Sequence, residues 1–189
     1  MQWNVPNILT SFRIVLIPVF LAVFYMPIPY ATFWAAVIFV LAAITDGLDG
    51  YIARKLDQHT QFGAFLDPVA DKIMVAAALV VVVEYHNSLW VTIPSLIIIS
   101  RELAISALRE WMAEIGKRDI VAVSSLGKIK TTAQMIALTA LLWDAPLVLW
   151  DVQIIKFIGV VALYVAAIFT FWSMVQYMVQ AWKALTGAK

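Results

Sequence analysis

Four aspartates stand in two pairs, Asp46 with Asp49 and Asp67 with Asp71. On helices, the spacings i, i+3 and i, i+4 place both members of a pair on one face. Apolar runs flank both pairs, and a carboxylate deep in a bilayer costs on the order of 2.5–3.5 kcal/mol, so the four acids need compensation. Two hard divalent cations with oxygen ligands would supply it, if an antiparallel hairpin brought the pairs together.

Small residues and one arginine accompany the acids. Gly50 and Ala53 lie one and two turns after the first aspartate on its face, and Gly63 lies one turn before the third. They leave room for a bulky group near the helix backbones, and Arg54 could contact phosphate. This combination suits a metal-bound diphosphate better than a free cation. Such a site could stabilise in-line displacement at phosphorus, with one carboxylate taking a proton from the attacking hydroxyl.

The elements that must position these residues are predicted from hydropathy. The chain has 189 residues, of which 63% are hydrophobic and 13% charged, whereas a soluble domain carries about 25% charged residues. A membrane-spanning helix needs roughly 20 mostly apolar residues. Six runs meet this need, at residues 8–25, 31–53, 68–86, 89–109, 128–146 and 152–182. We therefore predict an all-α integral membrane protein with six transmembrane helices, forming a single domain over residues 1–189.

Basic residues predict the orientation of these spans. Loops 26–30, 86–90 and 143–151 contain no Lys or Arg, whereas segments 54–72 and 109–130 contain several. Because basic loops stay in the cytoplasm, we expect a multi-pass protein of the inner membrane with both termini and the aspartates on the cytoplasmic side. The net charge of +1 gives no support for nucleic-acid binding.

The aspartates and their neighbours carry a family resemblance. The string Asp46-x2-Asp49-Gly50-x2-Ala53-Arg54-x8-Gly63-x3-Asp67-x3-Asp71 resembles the signature of the CDP-alcohol phosphotransferase family at all eight specified positions. The resemblance implies six transmembrane helices, a homodimer, release of CMP, and two cations, Mg2+ or Mn2+, on the four aspartates. It also implies that the last aspartate is the general base. The predicted CDP-lipid-binding residues are Asn7, Thr10, Asp49, Gly50, Ala53, Arg54 and Gly63.

Further basic residues predict the acceptor. Arg101, Arg109, Lys128 and Lys130 are candidates to bind an anion, because Arg and Lys donate well to phosphate. Segments 6–13, 101–113 and 127–134 are similar to the bacterial branch of the family that makes phosphatidylglycerol phosphate. This resemblance implies CDP-diacylglycerol, a membrane lipid, as the donor and sn-glycerol 3-phosphate as the acceptor.

Other interpretations stay open at this point. The same chemistry could use inositol phosphate, serine or phosphatidylglycerol as the acceptor. A membrane prenyltransferase also binds a magnesium diphosphate with aspartate pairs, and a cation carrier could use intramembrane acids as its ion site. In a purely structural interpretation, Asp67-Pro68 would be the start of a helix, with Asp67 as its N-cap. Asp46 and Asp49 would then belong to a surface loop, and Arg101 and Glu102 would be a local ion pair.

Overall fold

The computed structural model describes residues 5–56, 61–116, 126–143 and 152–186. Within these ranges the secondary structure consists of six α-helices, as predicted. They are α1 (Val5–Phe24), α2 (Ala31–Leu56), α3 (Gln61–His86), α4 (Leu89–Glu114), α5 (Leu126–Leu142) and α6 (Val152–Thr186).

Several helices are longer than the apolar runs that predicted them. Helix α3 begins at Gln61, seven residues before the predicted span, and α4 continues to Glu114. Hydropathy detects only the apolar part of a helix, whereas backbone hydrogen bonding continues through its polar ends. Pro68 therefore lies inside α3, and the interpretation of Asp67 as an N-cap is wrong. Asp46 and Asp49 lie within α2, so the surface-loop interpretation is wrong as well.

The C-terminal ends of α1, α3 and α5 meet the N-terminal end of α2 at one end of the bundle. The phenol of Tyr25, after α1, donates a hydrogen bond to Glu84 near the end of α3. His86 Nε2 lies 2.9 Å from the carbonyl oxygen of Leu141 in α5, and the rings of Phe33 and Trp143 are 4.7 Å apart, edge to face. These contacts show that α1, α3 and α5 run antiparallel to α2. The aspartates must therefore lie toward the other end.

Small side chains allow the helices of the core to approach closely. Ala35, Ala36 and Ala42 of α2 are fully buried, and so are Ala78 of α3 and Ala137 of α5. Small residues at helix contacts are typical of membrane proteins, in which packing replaces the hydrophobic effect as the force between helices. Larger side chains, Phe20, Phe39, Leu79, Leu138 and Leu163, fill the remaining space.

Large apolar side chains also cover the outside of the bundle. At least half of the residue surface is exposed in Leu41, Ile44, Phe157, Ile168 and Trp172. Among the residues that the structure describes, three segments are long and apolar enough to cross a membrane: Ala31–Leu48 in α2, Leu89–Glu114 in α4 and Gln153–Lys183 in α6. The chain thus has the helices of a membrane protein.

Candidate active site

Three of the four aspartates converge on one buried arginine. Arg13 of α1 is 1% exposed, and its Nη1 atom lies 2.6 Å from Asp46 Oδ1 and 2.6 Å from Asp71 Oδ1. The same nitrogen lies 3.4 Å from Asp67 Oδ1, to which the buried hydroxyl of Thr10 also donates at 3.4 Å. Helices α1, α2 and α3 are therefore joined at one point by charge. We call Arg13, Asp46, Asp67 and Asp71 the carboxylate cluster.

The carboxylate cluster has the donor chemistry of a divalent-cation site. The three carboxylates are 40–49% exposed, so a cation could reach them. Among the residues with described side chains, no three acids stand where they would hold a metal between them. The residues present are nevertheless suited to a divalent cation, because carboxylate oxygens are the hard donors that such cations bind. Here these oxygens already surround the positive charge of Arg13. Three carboxylates against one guanidinium leave two formal negative charges.

A second group of charged side chains surrounds Glu102 of α4. Its Oε1 atom accepts hydrogen bonds from Lys130 of α5 and from Arg101 Nη1, the latter at 3.0 Å. Arg101 also donates from Nη2 to Ser173 Oγ of α6 at 3.0 Å. Both cations are almost fully buried, and Glu102 is 27% exposed. We call Arg101, Glu102 and Lys130 the α4–α5 cluster.

One cavity of about 450 Å³ connects the two clusters. Its polar lining consists of Arg13, Asp46, Asp71, Lys72, Glu102, Lys130, Thr131 and Gln134. Lys72 lies beside Asp71 in α3 and donates to Ser106 of α4 at 2.6 Å. With Lys72 included, the α4–α5 side carries two formal positive charges, and the other side two negative ones. The cavity therefore has one end for cations and one for an anion.

The predicted site residues fall into three groups. Asp46, Asp67, Asp71, Thr10, Arg101 and Lys130 belong to the two clusters or contact them directly. Arg109 lies about two turns after Arg101 in α4: both guanidinium groups stand over the ring of Tyr177, and the tyrosine hydroxyl is 3.5 Å from Arg109 Nη2. Gly63 lies in α3, one turn before Asp67. The side chains of Asn7, Asp49, Ala53, Arg54 and Lys128, and Gly50, lie outside the described residues.

The ion pair of Arg101 with Glu102 was predicted and is present, but sequence reasoning missed the partners of Arg13 and the contact of Glu102 with Lys130. Asn7, Thr10 and Arg13 stand at every third position. This spacing placed Arg13 on one face of α1 but did not indicate which residues it contacts. Glu102 shares a stripe with Ser106 and Arg109, so periodicity identified its helix face. Neither pattern could show that Arg13 contacts α2 and α3, or that Glu102 contacts α5.

Comparisons with known proteins agree with the sequence signature. The model of the CDP-alcohol phosphatidyltransferase family matches residues 3–172. A protein of Pectobacterium atrosepticum is 59% identical over 178 residues, which are 94% of each chain. One of Sodalis glossinidius is 58% identical over 181 residues and 96% of each chain, and one of Escherichia coli K12 is 54% identical over 94% of each. Each is named CDP-diacylglycerol–glycerol-3-phosphate 3-phosphatidyltransferase.

The geometry of the carboxylate cluster predicts a metal-dependent effect of replacing Arg13. In Arg13→Gln the carboxylates lose their shared cation, and their repulsion should lower the apparent Tm of the protein in detergent with EDTA. Removing one partner of a buried ion pair costs about 3–5 kcal/mol, and water around these half-exposed carboxylates reduces this to about 1–3 kcal/mol. Millimolar Mn2+ should restore most of the Tm, because it supplies the missing charge.

Thermal unfolding followed by fluorescence checks this prediction. Arg109→Gln is the matched control, since Arg109 contacts Tyr177 and no described carboxylate of the cluster. The difference between its Tm in EDTA and its Tm in Mn2+ should equal that of the unaltered protein. An equal loss of Tm for Arg13→Gln in both buffers would mean that Arg13 acts only by packing.

Proposed function

Because the chain belongs to the CDP-alcohol phosphatidyltransferase family, we propose that it transfers the phosphatidyl group of CDP-diacylglycerol to sn-glycerol 3-phosphate, giving phosphatidylglycerol phosphate and CMP. The observation that carries this proposal is the cavity with two oppositely charged ends. One end suits a metal-bound diphosphate, and the other suits an acceptor that is itself anionic. The 54–59% identity to relatives that carry this activity in their names supports the choice of donor and acceptor.

The carboxylate cluster would bind the diphosphate end of the donor. We propose that Asp46, Asp49, Asp67 and Asp71 hold two divalent cations, Mg2+ or Mn2+. When bound, these would neutralise the diphosphate and stabilise the charge that develops on the phosphorus oxygens. Arg13 would then release the carboxylates and turn its guanidinium to phosphate oxygens, for which its geometry is well suited. Asn7, Thr10, Gly50, Ala53, Arg54 and Gly63 would frame the rest of the CDP group.

The α4–α5 cluster would bind the phosphate of the acceptor. Lys130 lines the cavity, and Arg101 lies behind it at hydrogen-bonding distance from Glu102. We include Lys128, which lies in the first turn of α5, and Arg109, which shares the ring of Tyr177 with Arg101. The acceptor hydroxyl would then point to the carboxylate cluster at the other end of the cavity.

Asp71 is the carboxylate best placed to take the proton from that hydroxyl. It lines the cavity and is the most exposed of the three. The deprotonated oxygen forms a bond to the phosphorus that carries diacylglycerol, the bond from that phosphorus to the oxygen of CMP breaks, and CMP leaves with the electron pair. Positioning of the two substrates and charge stabilisation would contribute most of the acceleration, since a metal-bound carboxylate is a weak base.

The acyl chains of the donor have an apolar groove beside this site. A second cavity, of about 520 Å³, lies between α2, α5 and α6 and is lined by Val40, Ile44, Ile136, Ala140 and Ile155. It shares Ala43 and Met135 with the cavity of the active site. A lipid whose diphosphate lies at the aspartates could therefore place a chain here without leaving the membrane.

The first experiment is CMP release from CDP-diacylglycerol by the purified protein in detergent with Mg2+ or Mn2+. We expect release that depends on glycerol 3-phosphate and stops with EDTA. Inositol 1-phosphate, serine and phosphatidylglycerol are assayed in parallel. Release with one of these instead would keep the reaction and change the acceptor. Absence of CMP with every acceptor, from folded protein, would favour a prenyltransferase or a cation carrier.

Replacing the proposed base should separate turnover from binding. We expect Asp71→Asn to lower kcat by about 10²–10⁴-fold, the usual contribution of a general base. Metal-dependent binding of CDP-diacylglycerol should change less than tenfold, because the other aspartates remain. The control Glu114→Gln, at the exposed end of α4, should keep normal kcat. A near-normal kcat for Asp71→Asn would exclude the base assignment.

The groove predicts a variant that affects the donor alone. Ala43→Leu should fill the passage between the two cavities and raise KM for CDP-diacylglycerol about tenfold, with KM for glycerol 3-phosphate unchanged. Ala22→Leu, the same change at an exposed position of α1, is the control. Steady-state kinetics with both substrates checks this, and equal effects on the two KM values would place the acyl chains elsewhere.

We further propose six membrane spans within one domain, with both termini and the active site on the cytoplasmic side of the inner membrane. The antiparallel helices and the basic residues near the aspartates support this topology. The chain has no cysteine, so single cysteines report their side directly. An impermeant maleimide should label Ile28→Cys in intact spheroplasts, and Glu114→Cys only after lysis. The reverse pattern would invert the topology.

The family resemblance also leads us to propose a homodimer. Many large apolar side chains are exposed on the single chain, and a second copy could cover part of them. Light scattering of the protein in detergent, corrected for bound detergent, gives its mass and tests this. A monomeric mass in active preparations would contradict it.

A further inference from the structure

Glu102 lies between the cations that the proposed acceptor site needs. Its Oε1 atom accepts from both Lys130 and Arg101, and Ser173 fixes the other arm of Arg101. Ser173 is itself buried and donates to the carbonyl oxygen of Thr170 at 2.9 Å. The arginine therefore cannot move far, and Glu102 holds the ammonium of Lys130 toward it.

The carboxylate of Glu102 also faces the cavity, and it is the group against which an incoming anion must compete. A phosphate monoester has a second pKa of about 6 and carries nearly two negative charges at neutral pH. Lys72, Arg101 and Lys130 would present three positive charges to it, and Glu102 reduces these to two. Glu102 thus cancels one of the positive charges that a bound phosphate would meet.

Release of the product requires that the site does not bind phosphate too strongly. In the reaction that we propose, glycerol 3-phosphate and phosphatidylglycerol phosphate both carry a phosphate monoester, so the same cations contact substrate and product. A site with three uncompensated cations, two of them almost fully buried, would hold the product and any free phosphate strongly.

We propose that Glu102 is a positioning and specificity residue for the acceptor: it holds Lys130 and Arg101 in the empty site and competes with bound phosphate, so that the product can leave. This inference rests on the proposed function for its acceptor. The ammonium of Lys130, which lines the cavity, passes from the carboxylate to the phosphate when the acceptor binds and returns when the product departs, while Arg101 stays in place.

The test is Glu102→Gln, which keeps the shape of the side chain and removes its charge. We expect the inhibition constant of inorganic phosphate, measured against glycerol 3-phosphate, to fall about tenfold. KM for glycerol 3-phosphate should fall by a similar factor and kcat should fall with it, because release of the product becomes slow. KM for CDP-diacylglycerol should stay within twofold of the normal value.

Two further variants separate this role from a structural one. Glu102→Asp keeps the charge and should bring the inhibition constant back to within threefold of normal. Glu110→Gln removes a charge from an exposed position on the same helix and should leave every constant unchanged. If Glu102→Gln does not fold, the comparison is made in a Lys130→Gln background, where losing the carboxylate should again lower the inhibition constant of phosphate. An unchanged or higher constant overturns the proposal.

Thermal unfolding with inorganic phosphate alone keeps the two proposals apart. The stabilisation by phosphate, measured without donor and metal, should reach half its maximum at about tenfold lower concentration in Glu102→Gln. This result would stand even if the acceptor were another phosphate monoester. An equal phosphate dependence in both proteins would refute the role of Glu102 without affecting the reaction itself.

Discussion

The structure depends on how an apolar bundle accommodates a group of carboxylates. Three aspartates of α2 and α3 lie around the guanidinium of Arg13, which is 1% exposed. Like charges at such short range repel even where water reaches them in part. The positive charge on α1 is therefore what allows α1, α2 and α3 to pack at this point, and it leaves two negative charges that can attract a divalent cation.

The same constraint gives the cavity its polarity. Lys72 follows Asp71 directly in the sequence, yet it points to Ser106 of α4, away from the carboxylate cluster. Arg101 of α4 and Lys130 of α5 contact Glu102 instead. Each cluster is thus partly neutralised internally, and each retains charge of one sign for a ligand. An enzyme that joins a metal-bound diphosphate to an anionic alcohol needs both signs within one cavity, kept apart so that they do not cancel.

Buried alanines make this arrangement possible. Buried alanines along α2, α3 and α5 bring the backbones close, so charged side chains from three helices can reach a common point. Around the cavity the bundle is lined by apolar side chains that continue into the groove between α2, α5 and α6. The polar site and the groove that we propose for the lipid chains are therefore adjacent parts of the same helices.

The sequence by itself determined the six helices, the family, and the acids that are candidates for metal binding. Apolar runs and proline-rich turns specify local structure. That Asp46 and Asp49 share one helix face, and Asp67 and Asp71 another, follows from their spacing and the period of a helix. Only the tertiary structure decided which helices meet, because contacts between distant segments leave no local pattern. It brought Arg13 to the aspartates and Glu102 to Lys130, and it placed both Arg101 and Arg109 over the ring of Tyr177. Periodicity assigns a residue to a face, and packing decides what that face touches.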